Sequence, residues 1–341
     1  MKGWNKVKNR KVAFCTLGCK VNQYETNAMI QEFKKCGYDI VEFDEVADIY
    51  IVNTCTVTNM ADRKSRQMLR KVKELNPEAV LVAVGCYAQV AKEELEKIPE
   101  IDLILGTNEK KDIVSYVEKM LNKKENSAAK PGMEKESVNI GQEQSKNVET
   151  ENSKFNAIEK QSSITDVMHC EEYVDFGDVT FTEKTRAVIK VQDGCDRFCS
   201  YCIIPFARGH IRSRRTESVV SEITKIADEG IKEVVITGIH LASYGRDFSK
   251  ASVKKTEDEM NSNFSQEQPN VNIKSDNEYR LIDLLEEINK IDGIKRIRLR
   301  VIRANTYYRR FCRKIIKARK NMWPFSSITP KWMWWNFKKN E

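Results

Sequence analysis

The chain has 341 residues, with 58 Lys+Arg against 50 Asp+Glu, 10 Cys and 3 His. That length suits about two domains of ordinary size. With 40% hydrophobic residues and no apolar run of membrane-spanning length, it reads as a globular chain with no membrane partner.

The polar, basic stretch Met1–Lys11 has no apolar core, so a cytoplasmic location is expected. The cysteines are then expected to be thiolates serving metal or catalysis rather than disulfides. The charge is unevenly placed. Residues 300–341 hold twelve Lys/Arg, one acidic residue and four of the five Trp. The other residues are close to neutral, so the basic balance says nothing about nucleic acid binding by the body of the chain.

Lys11–Leu17 reads as a strand, and Asn22–Lys35 as a helix opened by an Asn22/Glu25 capping-box pattern. Ile49–Val52 is a strand, and Met60–Leu75 a charged helix stopped at Asn76-Pro77. A strand at Ala79–Val84, a helix at Gln89–Lys97, a strand at Asp102–Leu105 and a helix at Lys110–Leu121 follow. The alternation predicts an α/β domain over residues 1–121 with a parallel sheet. Residues 122–170 are rich in Lys, Glu, Ser, Asn and Gln and read as a disordered linker.

The alternation resumes over 171–299: strand Arg186–Gln192, helix Glu217–Asp228, strand Glu233–Thr237, helix Leu281–Asn289 and strand Lys295–Leu299. A low-complexity insert at 249–277 interrupts it. No helical or strand periodicity follows Arg300.

Cys195, Cys199 and Cys202 lie within eight residues, on a loop after a predicted strand. Three thiolates at this spacing can hold a 4Fe–4S cluster with one open iron. An open iron can chelate S-adenosylmethionine and, when reduced, release a 5′-deoxyadenosyl radical from it. A zinc site would want a fourth ligand, which is missing nearby. Cys19, Cys55 and Cys86 each follow a predicted strand, and parallel strands end on one edge. These three could share a second cluster, with Gly18 and Gly85 giving room; alternatively they are buried hydrophobes. Cys15 and Cys36 read as core or surface thiols, and His169-Cys170 as unligated. His240 ends a strand and could face the site or simply pack. His210 is given no role.

At these residues the chain resembles the radical-SAM methylthiotransferase family. The likeness rests on Cys-Thr-Leu-Gly-Cys-Lys-Val-Asn-Gln-Tyr-Glu at 15–25, Val-Asn-Thr-Cys-Thr-Val-Thr at 52–58 and Gly-Cys-Tyr-Ala-Gln at 85–89. It continues in Gln-Asp-Gly-Cys-Asp-Arg-Phe-Cys-Ser-Tyr-Cys-Ile-Ile-Pro-Phe-Ala-Arg-Gly at 192–209 and Thr-Gly-Ile-His-Leu-Ala-Ser-Tyr-Gly at 237–245. The resemblance implies a flavodoxin-like N-terminal sheet domain followed by a radical-SAM (β/α) partial barrel, here truncated. It implies two 4Fe–4S clusters: Cys195, Cys199 and Cys202 holding the radical-generating one, and Cys19, Cys55 and Cys86 the auxiliary one. S-adenosyl-L-methionine is the implied cosubstrate, with Tyr201 near its adenine. No catalytic residue is assigned.

The motifs most resemble the branch that adds a methylthio group at C2 of N6-threonylcarbamoyladenosine, position 37 of tRNA. The implied partners are a tRNA anticodon stem-loop and an electron donor such as flavodoxin or ferredoxin. Three alternatives stay open: an isopentenyladenosine or ribosomal-protein aspartate branch, a radical-SAM enzyme with one cluster, and an inactive iron–sulfur remnant.

Residues 300–341 depart from the family. Trp and Met have single codons, so Met322-Trp323-Pro324 and Trp332-Met333-Trp334-Trp335 constrain the nucleotides tightly. Advanced by one nucleotide, the segment can encode a Ser-Leu-Glu-Pro strand end and a His-Leu-Ser-Leu-Gln-Ser-Gly run similar to the family's next segment. The tail is therefore expected to be out of frame, and turnover weak or absent.

Overall fold

Short β-branched runs between amphipathic stretches set the architecture, because parallel strands are buried on both faces. The computed structural model describes residues 10–128, 161–179, 185–248 and 280–300. Its first sheet contains β1 (Lys11–Thr16), β2 (Asp39–Val41), β3 (Ile49–Thr54), β4 (Val80–Gly85), β5 (Leu103–Leu105) and β6 (Gln161–Ser163). Their order is β2-β1-β3-β4-β5-β6, and every pairing is parallel. This is the expected flavodoxin-like order with one added edge strand.

Helices α1 (Lys20–Lys35), α2 (Asn59–Leu75), α3 (Cys86–Val90), α4 (Lys92–Glu96) and α5 (Ile113–Ala128) belong to this sheet. Alternate strand residues divide between its faces. Tyr50, Val52, Leu81 and Ala83 pack with Leu69 and Val72 of α2. Ile49, Ile51, Val80 and Val82 pack with Met29 and Phe33 of α1 and Val117 of α5.

The second sheet has the order β10-β9-β7-β8. β7 (Ala187–Asp193), β9 (Glu233–Gly238) and β10 (Arg296–Leu299) are parallel, and the short β8 (Arg212–Ser213) runs antiparallel to β7. The short α6 (Ile204–Arg208) closes the cysteine loop. The core joins Ile189, Val191, Val234 and Ile236 to Val219 and Ile223 of α7 (Thr216–Asp228) and to Leu284 and Ile288 of α8 (Arg280–Asn289). Three parallel strands with two covering helices form the beginning of a (β/α) barrel wall. Tyr24 and Ala28 of α1 enter this same core, so α1 serves both sheets.

The structure differs from the sequence expectation in places. α1 begins at Lys20, with Cys19 as its N-cap and no side-chain cap. Asn22 and Glu25 form no capping box, because both side chains are buried on other partners. Residues 161–170, expected within the linker, carry β6 and a 3-10 turn at Val167–His169. β6 owes its place to backbone pairing with β5, continued where Gly106 N–H donates to the Ser163 carbonyl at 3.1 Å. α5 runs on to Ala128, past the expected stop at Leu121. The insert 249–277 and the tail beyond Arg300 lie outside the described residues.

Candidate functional site

β1, β3 and β4 lie side by side and end on one edge of the first sheet. Thr54 pairs with Gly85, so Cys55 and Cys86 leave neighbouring strands at the same level. Cys19 caps α1 just beyond β1. β1 and β3 flank the point where strand order reverses, the usual ligand position of an open parallel sheet.

Polar side chains sew these strand ends together. Asn22 Nδ2 donates to the carbonyls of Leu17 at 2.9 Å and Thr54 at 3.0 Å. Asn53 Nδ2 donates to the Asn22 carbonyl at 3.0 Å, and Thr54 Oγ1 to the Val84 carbonyl at 2.8 Å. Gly18 has φ +97°, and a Cβ there would lie 2.6 Å from the Cys55 sulfur. The glycine therefore lets the Cys55 thiol lie against the loop that carries Cys19. Cys55 and Cys86 are buried and Cys19 is exposed. Burial pushes both buried thiols up, the nearby Cys19 adds to this in each, and Arg208 opposes it.

The loop leaving β7 carries Cys195, Cys199 and Cys202, all half-buried. Cys195 N–H donates to the Gly209 carbonyl at 3.0 Å, which holds the two ends of the loop side by side. Within it, Cys202 N–H donates to the Cys199 carbonyl at 2.9 Å. Gly194 has φ +70°, and a Cβ there would run into the His210 carbonyl. Phe198, φ 42°, is the one non-glycine with positive φ among the described residues. Its ring meets Phe206 edge-on at 6.0 Å and His210 at 6.1 Å. Tyr201 is 81% exposed on the same loop.

Arg208, whose side chain is fully buried, spans from Cys86 to the end of β7 just before the second cysteine loop. Its Nε donates to the Cys86 sulfur at 3.2 Å. Nη1 donates to Glu25 at 2.7 Å and to both oxygens of Asp193 at 3.1 Å. Nη2 donates to Asn22 Oδ1 at 2.6 Å and to Glu25 at 3.1 Å. Lys190 donates to Glu25 at 2.7 Å and to Asp193 at 2.6 Å, and Lys110 pairs with Glu25. Burial alone would push both carboxylates up. Arg208 and Lys190, joined by Lys110 at Glu25 and Arg212 at Asp193, outweigh it and hold both below the usual range. Asp193 lies two residues before Cys195, so one guanidinium joins the Cys86 sulfur to the strand end that leads into the second cysteine loop.

Sequence reasoning missed Asn22, Glu25, Lys190, Asp193 and Arg208 as site residues. The available signal was Lys190, an ammonium in the middle of an apolar strand, a place lysine almost never occupies without partners.

Among the described residues, no three Cys, His, Asp or Glu side chains stand close enough to hold one metal ion. A cube of four irons and four sulfides holds its thiolates farther apart than one ion does. All six candidates are thiols, the donors such clusters take, and each set offers three rather than the four of a closed zinc site. The glycine-cleared approach of Cys55 to the Cys19 loop fits that group. The other cysteines stand apart. Cys15 packs on the α2 face of the first sheet and Cys36 on its opposite face. Cys170 accepts from Asn108 Nδ2 at 2.9 Å. His240 is buried, and its backbone N–H donates to Gln192 Oε1 at 2.7 Å.

Residues 11–106 match the Uncharacterized protein family UPF0004, and residues 189–329 match the Radical SAM superfamily. The second match runs into the segment expected to be out of frame. The chain is 34% identical over 295 residues to threonylcarbamoyladenosine tRNA methylthiotransferase MtaB of Bacillus subtilis, covering 86% of this chain and 52% of that protein. It is 35% identical over 289 residues to the protein of the same name from Aquifex aeolicus, covering 85% and 55%. The ribosomal protein uS12 methylthiotransferase RimO of Desulfitobacterium hafniense is 32% identical over 295 residues, covering 85% and 52%. The chain thus spans about half the length of the curated relatives it matches. A solved radical S-adenosylmethionine methyltransferase, TsrM of Kitasatospora setae, aligns over 86% of this chain and 59% of that one with TM-score 0.45 and 14% identity. No helix among the described residues is long and apolar enough to cross a membrane.

Proposed function

The chain belongs to the radical-SAM methylthiotransferase family, and from that premise we propose that it modifies tRNA. Its substrate is N6-threonylcarbamoyladenosine at position 37 of an anticodon stem-loop, methylthiolated at C2. Cys195, Cys199 and Cys202 hold one 4Fe–4S cluster, and Cys19, Cys55 and Cys86 hold a second. When bound, these groups supply the one-electron cleavage of S-adenosylmethionine and the sulfur to be transferred. The chain acts in the cytoplasm and takes electrons from a flavodoxin or ferredoxin.

The observation that carries this reading is the bridge Arg208 makes from the Cys86 sulfur to Asp193, two residues before Cys195. Transfer of sulfur to a radical centre requires the two sites to face one another. Asn22 and Thr54 fix the strand ends under Cys19, Cys55 and Cys86. Gly194 and the Cys195–Gly209 bond fold the second loop back on itself. Phe198 and Phe206 give that loop an apolar shoulder, and Tyr201 serves the adenine of S-adenosylmethionine.

A ribosomal-protein aspartate is the second reading, favoured by the 32% identity to RimO. The test is anaerobic reconstitution, iron quantitation and an assay for 5′-deoxyadenosine, followed by mass spectrometry of the tRNA nucleosides. About eight irons per chain, cofactor cleavage and the methylthio base sustain the reading. About four irons with cleavage leave a one-cluster radical-SAM enzyme. Iron without cleavage leaves an iron-binding remnant.

A further inference from the structure

We infer that Arg208 is a positioning residue that sets a hydrogen-bond donor and a positive charge against the Cys86 sulfur, raising the reduction potential of the group held by Cys19, Cys55 and Cys86. The inference rests on the reading above that these three thiols hold a cluster.

The guanidinium is planar, so its five donors cannot be aimed independently. Its two terminal nitrogens are locked on Glu25, Asp193 and Asn22. With that fork fixed, Nε–H points at the sulfur, 3.2 Å away. The same fork comes from the loop that carries Cys195, so the donor is delivered by the opposite domain. Around it Arg208, Lys110 and Lys190 face two carboxylates, Glu25 and Asp193. With the buried Arg212, which donates to the Arg208 carbonyl at 2.8 Å, positive charge is in excess beside the Cys86 thiol. Three thiolates and a cluster form an anionic group, and reduction makes it more negative. An N–H bond to sulfur and an adjacent cation both favour the reduced state.

The test uses the full chain, reconstituted without oxygen, with Cys195→Ser assigning the spectroscopic signals to the two clusters. In Arg208→Lys the ammonium can hold the carboxylates but loses the planar Nε donor. The expected result is full iron content and a lower midpoint potential for the Cys19/Cys55/Cys86 cluster. The oxidised-to-reduced ratio shifts about tenfold at fixed potential, roughly 59 mV for one electron. The other cluster is unmoved. An unchanged potential at full iron content overturns the inference. Because a buried arginine can be needed for folding, a second measurement uses the unmodified sequence labelled with 15N-arginine. Electron–nuclear double resonance on the reduced auxiliary cluster should detect an arginine nitrogen. Eight irons per chain with no coupled nitrogen overturn the role of Arg208 alone. Four irons in the unmodified chain overturn the two-cluster reading and this inference with it.

Discussion

Lys190, in the middle of β7, meets Glu25 of α1 at 2.7 Å, and both side chains are buried. They belong to a set of three cations and two carboxylates, so losing one or the other is not equivalent. Glu25→Gln strands Lys110 without its carboxylate and leaves Arg208 and Lys190 with Asp193 alone. It is expected to cost about 3–5 kcal/mol, the range for removing one partner of a buried pair. Lys190→Met leaves both carboxylates paired, Glu25 with Arg208 and Lys110 and Asp193 with Arg208, and is expected to cost less than half as much. Urea unfolding of the two variants checks the order, and equal costs would remove charge balance as the governing effect.

Acid should loosen the contact between the domains. Burial pushes Asp175 up, but Arg214 outweighs it and holds the carboxyl below its ordinary value; Glu25 is held down by Arg208, Lys110 and Lys190. A folded value below the unfolded one gives stability that is complete above the unfolded value and lost as pH falls toward the folded one. At the other end, burial pushes Tyr38 and Tyr244 up to about 12. Their contribution is complete below the unfolded tyrosine value of about 10 and lost as pH rises toward 12. The buried Cys55 and Cys86 thiols, also pushed up, begin to lose their contribution above the unfolded thiol value of about 8.5, so the melting temperature is expected to be level from about pH 5 to 8 and to fall outside that window. A midpoint that drifts steeply between pH 6 and 8 would contradict this.

Gly194→Ala is expected to disturb the second loop selectively. The position has φ +70°, and the added carbon meets a backbone carbonyl that cannot move away cheaply. A strain of about 1–3 kcal/mol follows, released by opening the Cys195–Gly209 contact. Iron per chain should fall by about half while the first sheet keeps its share. Gly37→Ala is the control: φ is +83°, with nothing within 4 Å of the added carbon. It should leave iron content unchanged.

Cysteine replacements should divide by place in the fold. Cys55→Ala is expected to remove about half the iron, as is Cys199→Ala. Cys15→Ala and Cys36→Ala should leave it unchanged, since those half-buried thiols pack against the two cores. Iron analysis after reconstitution reads both groups, and loss of iron in Cys15→Ala would displace the assignment of Cys19.

Much of the architecture was legible because period and length agree. β3, β4, β7 and β9 fall within two residues of their predicted positions, as do α2 and α7. Once the strands are parallel, the convergence of Cys19, Cys55 and Cys86 on one edge follows. The ion cluster was not legible. Asn22 and Glu25 have the spacing of a capping box, and only burial against the second domain separates the two meanings. β2, β6, α6 and β8 have two to five residues, too few to show a period. The role of Arg208 depends on two sheets docking, which no local pattern encodes.

Arg208 lies 122 residues after the cysteine whose sulfur it meets. Synthesis on the ribosome therefore completes the Cys19, Cys55 and Cys86 strand ends well before the guanidinium that meets Cys86 exists. During that interval the three sulfurs have no cover from the later domain. The Cys86 sulfur thus stays open from the side of the second domain until that domain has been made and has docked.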